Sequence, residues 1–259
     1  MTDNNNNNRT IIFGVHGWWG SGKTWLVHTL PGPRLVMDME GGSEDVQCHT
    51  VSWNPLDSPC PGASDLTEDT SVVVDISDYT VVTHLLQILE TGIHPFNSVV
   101  FDSLTENQKQ LKEAVANPGQ AYDPNATFEQ QAWGRLLNNG ELVIRRLRNL
   151  TRKNSKRRVN VGIVMASDTE QVPAVPLLQG ALRKSIAGFL DLQGYLYTAV
   201  NNETQELARI MQISPSPMAQ AKCRLHNVHV HYGDHIVNPD MRDILAVING
   251  GSTAETSYK

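Results

Sequence analysis

The sequence predicts an α/β fold in which a mainly parallel sheet is flanked by helices and followed by short antiparallel strands near the carboxyl terminus. Short apolar runs rich in β-branched residues recur along the chain, as expected of buried parallel strands. Stretches in which apolar residues have helical periodicity separate these runs. The 259 residues are also sufficient for one sizeable, well-buried α/β core.

The predicted elements alternate between strand and helix through most of the chain. The first three are a strand over 10–15, a helix over 25–30 and a strand over 34–40. A helix capped by Ser77 is predicted to extend to Leu89. The others are strands near 46–51 and over 71–76, 98–103, 160–167, 194–200 and 207–213, and helices over 104–116, 127–150, 181–190 and 239–248.

Composition limits the compartment and the partners. The formal net charge is −6, so any binding to nucleic acid must come from local basic patches. Three widely spaced cysteines argue for a reducing compartment, and the polar amino terminus has no signal-like apolar segment. We therefore expect a cytoplasmic protein with no membrane partner. One domain over 10–249 is expected between a disordered Asn-rich tail, 1–9, and a flexible tail, 250–259.

The stretch from Gly17 to Thr24 has the spacing of a phosphate-binding loop, with Gly, four residues, Gly, Lys and Thr. It lies between a predicted strand and a predicted helix, where free backbone N–H groups favour phosphate. A glycine-rich turn with a surface lysine would explain neither the Lys-Thr order nor these flanking elements. The motif predicts that ATP and Mg²⁺ bind here, with the nucleotide contacted by Gly17, Gly20, Ser21, Gly22, Lys23 and Thr24 and the metal by the Thr24 hydroxyl.

Carboxylates follow two of the predicted strands, at the edge of an open α/β sheet where ligands bind. Glu40 is a candidate general base, and Asp38 either lies on the opposite face of the strand or supports Glu40. The alternative is that both are solvated acids at the end of a strand. Asp102 ends an apolar strand downstream of the phosphate loop and is the candidate Mg²⁺ ligand. Ser167 or Asp168, at the end of the strand over 160–167, is placed to sense the γ-phosphate.

A basic run ends the long helix and continues past it: Arg145, Arg146, Arg148, Arg152, Lys153, Lys156, Arg157 and Arg158. Cations suit a helix carboxyl terminus, so a solvated face is favoured over contact with nucleic acid. Four histidines preceded by Cys223 have spacings that a metal could use: His226, His229, His231 and His235. Alternation of His229 and His231 with valines instead favours a solvent-facing hairpin.

In this order, the elements resemble the RecA-like ATPase core over residues 10–226, most closely that of short phage proteins that assist single-strand annealing and recombination. The most specific motifs are the phosphate loop, Asp38-Met39-Glu40, Phe101-Asp102-Ser103 and Lys222-Cys223-Arg224. The resemblance implies that Glu40 is the catalytic base and that Asp102 and Ser103 are the strand-ending pair. Glutamine senses the γ-phosphate in RecA itself, whereas Ser167 or Asp168 stands at that position here.

The resemblance also implies partners. Lys222 and Arg224 would reach the γ-phosphate of a neighbouring subunit, so that hydrolysis requires a ring or filament. Two ordinary surface cations are the alternative. Single-stranded DNA would be held by the loops after the strands over 98–103 and 160–167, with Arg183 and Lys184 as the nearest cations. A single-strand-binding protein is a further expected partner, and a phage protein would act in the host cytoplasm.

Two other functions stay open. A small-molecule kinase would share the phosphate loop and could use the basic run over 145–158 as a lid. The two strands beyond the expected kinase core and the motif over 222–224 count against it. A nucleotide-dependent assembly switch with little turnover would use ATP only to order an interface. The leading hypothesis is a DNA-dependent, RecA-like ATPase.

Overall fold

The computed structural model describes residues 8–46, 48–116, 130–200 and 205–251. These residues form a sheet with helices on both faces. In chain order its strands are β1 (Ile12–Gly17), β2 (Arg34–Asp38), β3 (His49–Ser52), β4 (Thr70–Asp75), β5 (Ser98–Asp102), β6 (Asn160–Asp168), β7 (Val175–Pro176), β8 (Leu192–Val200), β9 (Leu207–Gln212), β10 (Lys222–Cys223) and β11 (His235–Val237).

Most of the sheet is parallel. Strands β3, β4, β2, β5, β6, β1 and β8 lie side by side in that spatial order, and each pairs in parallel with its neighbours. Strands β9 and β11 extend the sheet beyond β8 in antiparallel orientation. The short strands β7 and β10 pair with the end of β6 and the beginning of β8. The phosphate loop therefore leaves the sheet at its carboxyl edge, where the parallel strands end.

The helices pack on both faces because strand side chains alternate between the two sides of the sheet. They are α1 (Lys23–His28), α2 (Tyr79–Thr91), α3 (Leu104–Ala116), α4 (Gln130–Leu150), α5 (Leu182–Phe189), α6 (His226–Tyr232) and α7 (Met241–Ile248). Ile12 of β1 joins a buried apolar cluster with α2, α4 and α5. Its neighbours Ile11 and Phe13 join a second cluster with α1, α6 and α7. This arrangement confirms the predicted fold class.

Two local predictions were wrong. Asp78, not Ser77, caps α2, because its carboxylate accepts the backbone N–H of Thr80 at 2.7 Å. The segment around His229 is the helix α6 and not a strand. The His-Val alternation is too short to distinguish the two structures. Val228 is buried whereas Val230 is 73% exposed, although alternate residues of a strand would lie on one face.

Some predictions fall outside the described residues: the start of the helix predicted from 127, the turn over 201–203 and most of both tails. Within the described ranges, no helix combines the length and apolar character needed to cross a membrane.

Candidate active site

The phosphate loop joins the end of β1 to the start of α1. Gly20 and Gly22 have φ angles of 74° and 93°, a region that side chains with a Cβ avoid. A Cβ at Gly17 would overlap the backbone carbonyl of Leu196 on β8. Glycine is therefore required at these positions for the loop to curl between its strand and helix, as the motif predicts.

Lys23 points back into the loop. Its Nζ donates to the carbonyl oxygens of Gly17, at 3.1 Å, and Trp18, at 2.8 Å. Burial lowers the pKa of the Lys23 ammonium, and the carboxylates of Asp102 and Glu40 oppose this shift. The ammonium thus lies within electrostatic reach of both acids that the sequence predicts for the site.

A hydroxyl and a buried carboxylate meet beside the loop. Thr24 donates its Oγ1 hydrogen to Oδ2 of Asp102 at 2.7 Å. The Asp102 side chain is buried at the end of β5, directly across from Asp38 on β2. Burial, with smaller contributions from Glu40 and Asp38, raises the pKa of Asp102 to about 7. A carboxylate beside a hydroxyl supplies the oxygen ligands that Mg²⁺ prefers, so these residues fit the metal.

Glu40 is held in place by two neighbours. Asp38 accepts hydrogen bonds from the backbone N–H groups of Glu40, Gly41 and Ser43 at 2.8–3.0 Å. Ser103, next to Asp102, donates its hydroxyl hydrogen to the Glu40 carboxylate. The Glu40 side chain is otherwise exposed. Asp38 therefore supports the turn that carries Glu40, and it is not a solvated strand-end acid.

Ser167 contacts a buried histidine that the sequence analysis did not single out. His16 of β1 lies 2.8 Å by Nδ1 from the Ser167 hydroxyl and 2.7 Å by Nε2 from the carbonyl oxygen of Gln220. A carbonyl only accepts, so Nε2 carries the hydrogen and Nδ1 accepts from Ser167. In this arrangement Ser167 can accept from a ligand but has no hydrogen to donate to a phosphate.

Because His16 is buried neutral, it makes folding sensitive to acid. Burial lowers its pKa from 6.5 to about 4, so the unfolded chain binds a proton more readily in this interval. The contribution to stability is present above pH 6.5 and is lost as the pH falls to about 4. His16→Gln can keep both hydrogen bonds. We expect its free energy of unfolding to fall over this interval by on the order of 3 kcal/mol less than that of the unchanged protein. Urea unfolding at several pH values measures this difference; an equal fall in both proteins would contradict it.

The cations predicted to contact DNA or a neighbouring subunit are grouped around α5. Arg183 of α5 pairs with Asp168 at the end of β6, at 3.3 Å, and Lys184 is exposed beside it. Lys222 donates to the carbonyl of Ala187, and Arg224 donates to that of Gly188 at 3.3 Å. Both cations thus contact the carboxyl end of α5. Their predicted contact with a neighbouring subunit stays a prediction.

Arg209 is a further cation at the loop that the sequence analysis missed. Strand β9 places its side chain against Gly22, close enough that a Cβ there would overlap the Arg209 Nε. The guanidinium also lies 5.0 Å from the ring centre of Trp25 on α1. More than 180 residues separate Arg209 from the loop in the sequence, so only the antiparallel pairing of β8 and β9 reveals it.

Among the described residues, no three His, Cys, Asp or Glu side chains are grouped to hold a metal ion by themselves. This includes the four histidines near the carboxyl terminus. A Mg²⁺ ion at Thr24 and Asp102 would take its remaining ligands from phosphate and water, as this metal commonly does.

The sheet, the glycine loop and the Lys23, Thr24 and Asp102 side chains together define a P-loop NTPase. Within that class, residues 6–225 match the family described as AAA domain, and the chain belongs to this family. Its members generally hydrolyse ATP. None of the curated proteins compared with the chain matches it.

Proposed function

We propose that this protein is a Mg²⁺-dependent ATPase of the RecA-like type that self-associates and acts on single-stranded DNA in annealing or recombination. The observation that carries the proposal is the pair of adjacent residues at the end of β5. Asp102 accepts from Thr24 of the phosphate loop, and Ser103 donates to Glu40. These two hydrogen bonds hold the candidate metal ligand and the candidate base side by side.

These residues supply the part of a hydrolytic site that one subunit contributes. A Mg²⁺ ion held by Thr24 and Asp102 would neutralise charge on the phosphates of the nucleotide. Lys23 exchanges its two loop carbonyls for phosphate oxygens, which the curled loop presents next to it. Glu40 accepts a proton from the attacking water as its oxygen bonds to the γ-phosphorus and the bond to the β-phosphate oxygen breaks. The products are ADP and inorganic phosphate.

The sheet order supports the RecA-like assignment. Strand β6 lies between β1, which leads into the phosphate loop, and β5, which ends at Asp102. Ser167 at the end of β6 is consequently placed between the loop and the metal ligand. Its bond to His16 links this position to the backbone of Gln220, two residues before Lys222. This connection gives a route from the carboxyl edge of the sheet to the segment that we expect to face a neighbouring subunit.

The position of the basic run counts against the kinase alternative. The run over 145–158 covers the end of α4 and the connection to the beginning of β6. It therefore lies at the amino edge of the sheet, opposite the phosphate loop, where it cannot close over the phosphates. The assembly switch remains an alternative because Glu40 is exposed. The measured rate of ATP hydrolysis distinguishes the switch from an ATPase.

The proposed function is tested by ATP hydrolysis with and without single-stranded DNA at several protein concentrations. We expect stimulation by DNA and a rate per subunit that rises with protein concentration, because a neighbouring subunit would complete the site. The Lys109→Ala variant, which changes an exposed lysine paired with Glu106, is the control. A low rate that is indifferent to both DNA and concentration would favour the kinase or the switch.

A further inference from the structure

A group of cations converges at the amino edge of the sheet, on the opposite side from the nucleotide site. This amino-edge basic cluster consists of Arg9, Arg148, Arg152, Lys153 and Arg158, which line an open cavity of about 460 Å³. Arg9 precedes β1, the next three residues belong to or follow the last turn of α4, and Arg158 precedes β6. The cluster thus forms only when three separate parts of the chain come together.

The cluster has little negative charge to balance it. Asp191, the acid in the cavity, lies 3.8 Å from Arg9 and also accepts the backbone N–H of Ile12. Within the described ranges, Arg148, Arg152 and Lys153 have no carboxylate within 4 Å. Burial and then the like charges of Arg152 and Arg224 lower the pKa of Arg148. Cations are therefore crowded here in a chain whose net charge is −6.

The end of a helix explains only part of this arrangement. The carboxyl terminus of α4 favours cations such as Arg148 through the helix dipole. Arg9 and Arg158 belong to other elements, and the dipole of α4 gives no reason for them to converge on the same cavity. Mutual repulsion disfavours the cluster unless an anion occupies it.

We propose that the amino-edge basic cluster binds the phosphodiester backbone of single-stranded DNA, an assignment that rests on the nucleic-acid partner of the proposed function. Four of the five cations are arginines, whose planar fork matches phosphate oxygens. Ile12 is the apolar residue among those lining the cavity, and it is buried. A protein partner or a second copy of the chain would need an apolar contact surface, whereas nucleic-acid interfaces are polar and strongly positive.

The carboxyl edge is less suited to a phosphodiester. The open cavity beside Glu40 is lined by Asp38, Glu44 and Asp75, and Arg183 is already paired with Asp168. ATP would bring further negative charge to this edge. The six residues of β1 separate the two edges by about 15–20 Å, so nucleotide and DNA can bind at the same time.

The test compares two variants of the full chain with equal changes in charge. Arg152→Glu/Lys153→Glu alters the cluster, and Lys109→Glu/Lys184→Glu alters exposed lysines near the carboxyl edge. Fluorescence anisotropy with a fluorescein-labelled oligothymidylate measures Kd over a series of salt concentrations. We expect the cluster variant to lose affinity about tenfold or more and its salt slope to fall by about 1.4, because each single-strand phosphate contact contributes about 0.7. The second variant includes Lys184, which the resemblance to the RecA-like core put near DNA; the proposal instead predicts that its Kd stays within about twofold of the unchanged protein.

Each other outcome overturns the proposal. Loss in the Lys109→Glu/Lys184→Glu variant with normal binding by the cluster variant would place DNA at the carboxyl edge. An equal loss of affinity in both variants would show that the oligonucleotide responds only to the net charge of the protein. If the cluster variant binds the oligonucleotide normally but sediments as a smaller assembly, the cluster is a contact between subunits. If the unchanged protein does not bind the oligonucleotide, the DNA part of the proposed function fails as well, whereas ATP hydrolysis is measured separately.

Thermal unfolding shows whether each variant is folded. If Arg152→Glu/Lys153→Glu does not fold, Arg152→Ala/Lys153→Ala replaces it, with the same expected direction and half the change in charge. Both side chains are exposed, so truncation removes little packing.

Discussion

Replacement of Glu40 by glutamine is expected to lower kcat by about 10²- to 10⁴-fold while ATP still binds. Glutamine keeps the size of the side chain and can accept the hydrogen bond from Ser103, but it cannot take a proton from water. The phosphate loop, Lys23 and Asp102 are unchanged, so nucleotide affinity should be preserved. Steady-state hydrolysis together with binding of a fluorescent ATP analogue separates the two effects.

Glu44→Gln is the matched control for this variant. Glu44 is an exposed acid four residues further along the same segment, and it lines the cavity beside Asp38. We expect its kcat to stay within about threefold of the unchanged protein, as for a surface substitution away from the reacting atoms. If Glu40→Gln hydrolyses ATP at the unchanged, very slow rate and assembles normally, Glu40 is not the base and the assembly switch gains support.

Asp102→Asn is expected to have opposite effects on activity and stability. Loss of the charge on the proposed metal ligand should lower Mg²⁺-dependent turnover by about 10²- to 10³-fold. The same change should raise the unfolding temperature measured without Mg²⁺ or nucleotide at alkaline pH. The buried carboxylate costs free energy when it is ionised, whereas asparagine is neutral and can still accept from Thr24.

The pH dependence of this gain follows from the raised pKa. Asp102 has a pKa of about 7 in the folded chain, against a usual 3.8, so the folded state holds the proton more tightly between these values. Its destabilising effect grows as the pH rises through this interval and is fully present above pH 7. The gain from asparagine should therefore be largest above pH 7 and disappear below pH 3.8. Asp75→Asn, at the exposed end of β4, is the control; equal gains in both variants would contradict the account.

The residues that the sequence predicted for the nucleotide site are those whose roles depend on local spacing. The phosphate loop is one continuous motif, and its required glycines are confirmed by the backbone angles of Gly20 and Gly22. Glu40 and Asp102 were predicted because parallel strands end at a common edge. In the structure both lie within electrostatic reach of Lys23. Their catalytic roles stay predictions.

Long-range contacts were beyond the reach of sequence reasoning. His16 lies just beyond the strand predicted over 10–15, and its partners Ser167 and Gln220 lie 151 and 204 residues away in the sequence. Arg209 reaches the loop through pairing of distant strands. The basic run was predicted as a solvated helix face, whereas in the structure four of its residues line one cavity together with Arg9 and Asp191: Arg148, Arg152, Lys153 and Arg158. None of these contacts leaves a periodic pattern or a short motif in the chain.

The most direct test of the central claim is phosphate release from ATP by the purified protein and by Lys23→Ala, each with and without Mg²⁺. The account predicts Mg²⁺-dependent release that falls by about 10²-fold or more in the variant, because Lys23 is the cation that the loop presents to the phosphates. Release at the same rate by both proteins, or release that does not depend on Mg²⁺, would contradict an ATPase site at the phosphate loop.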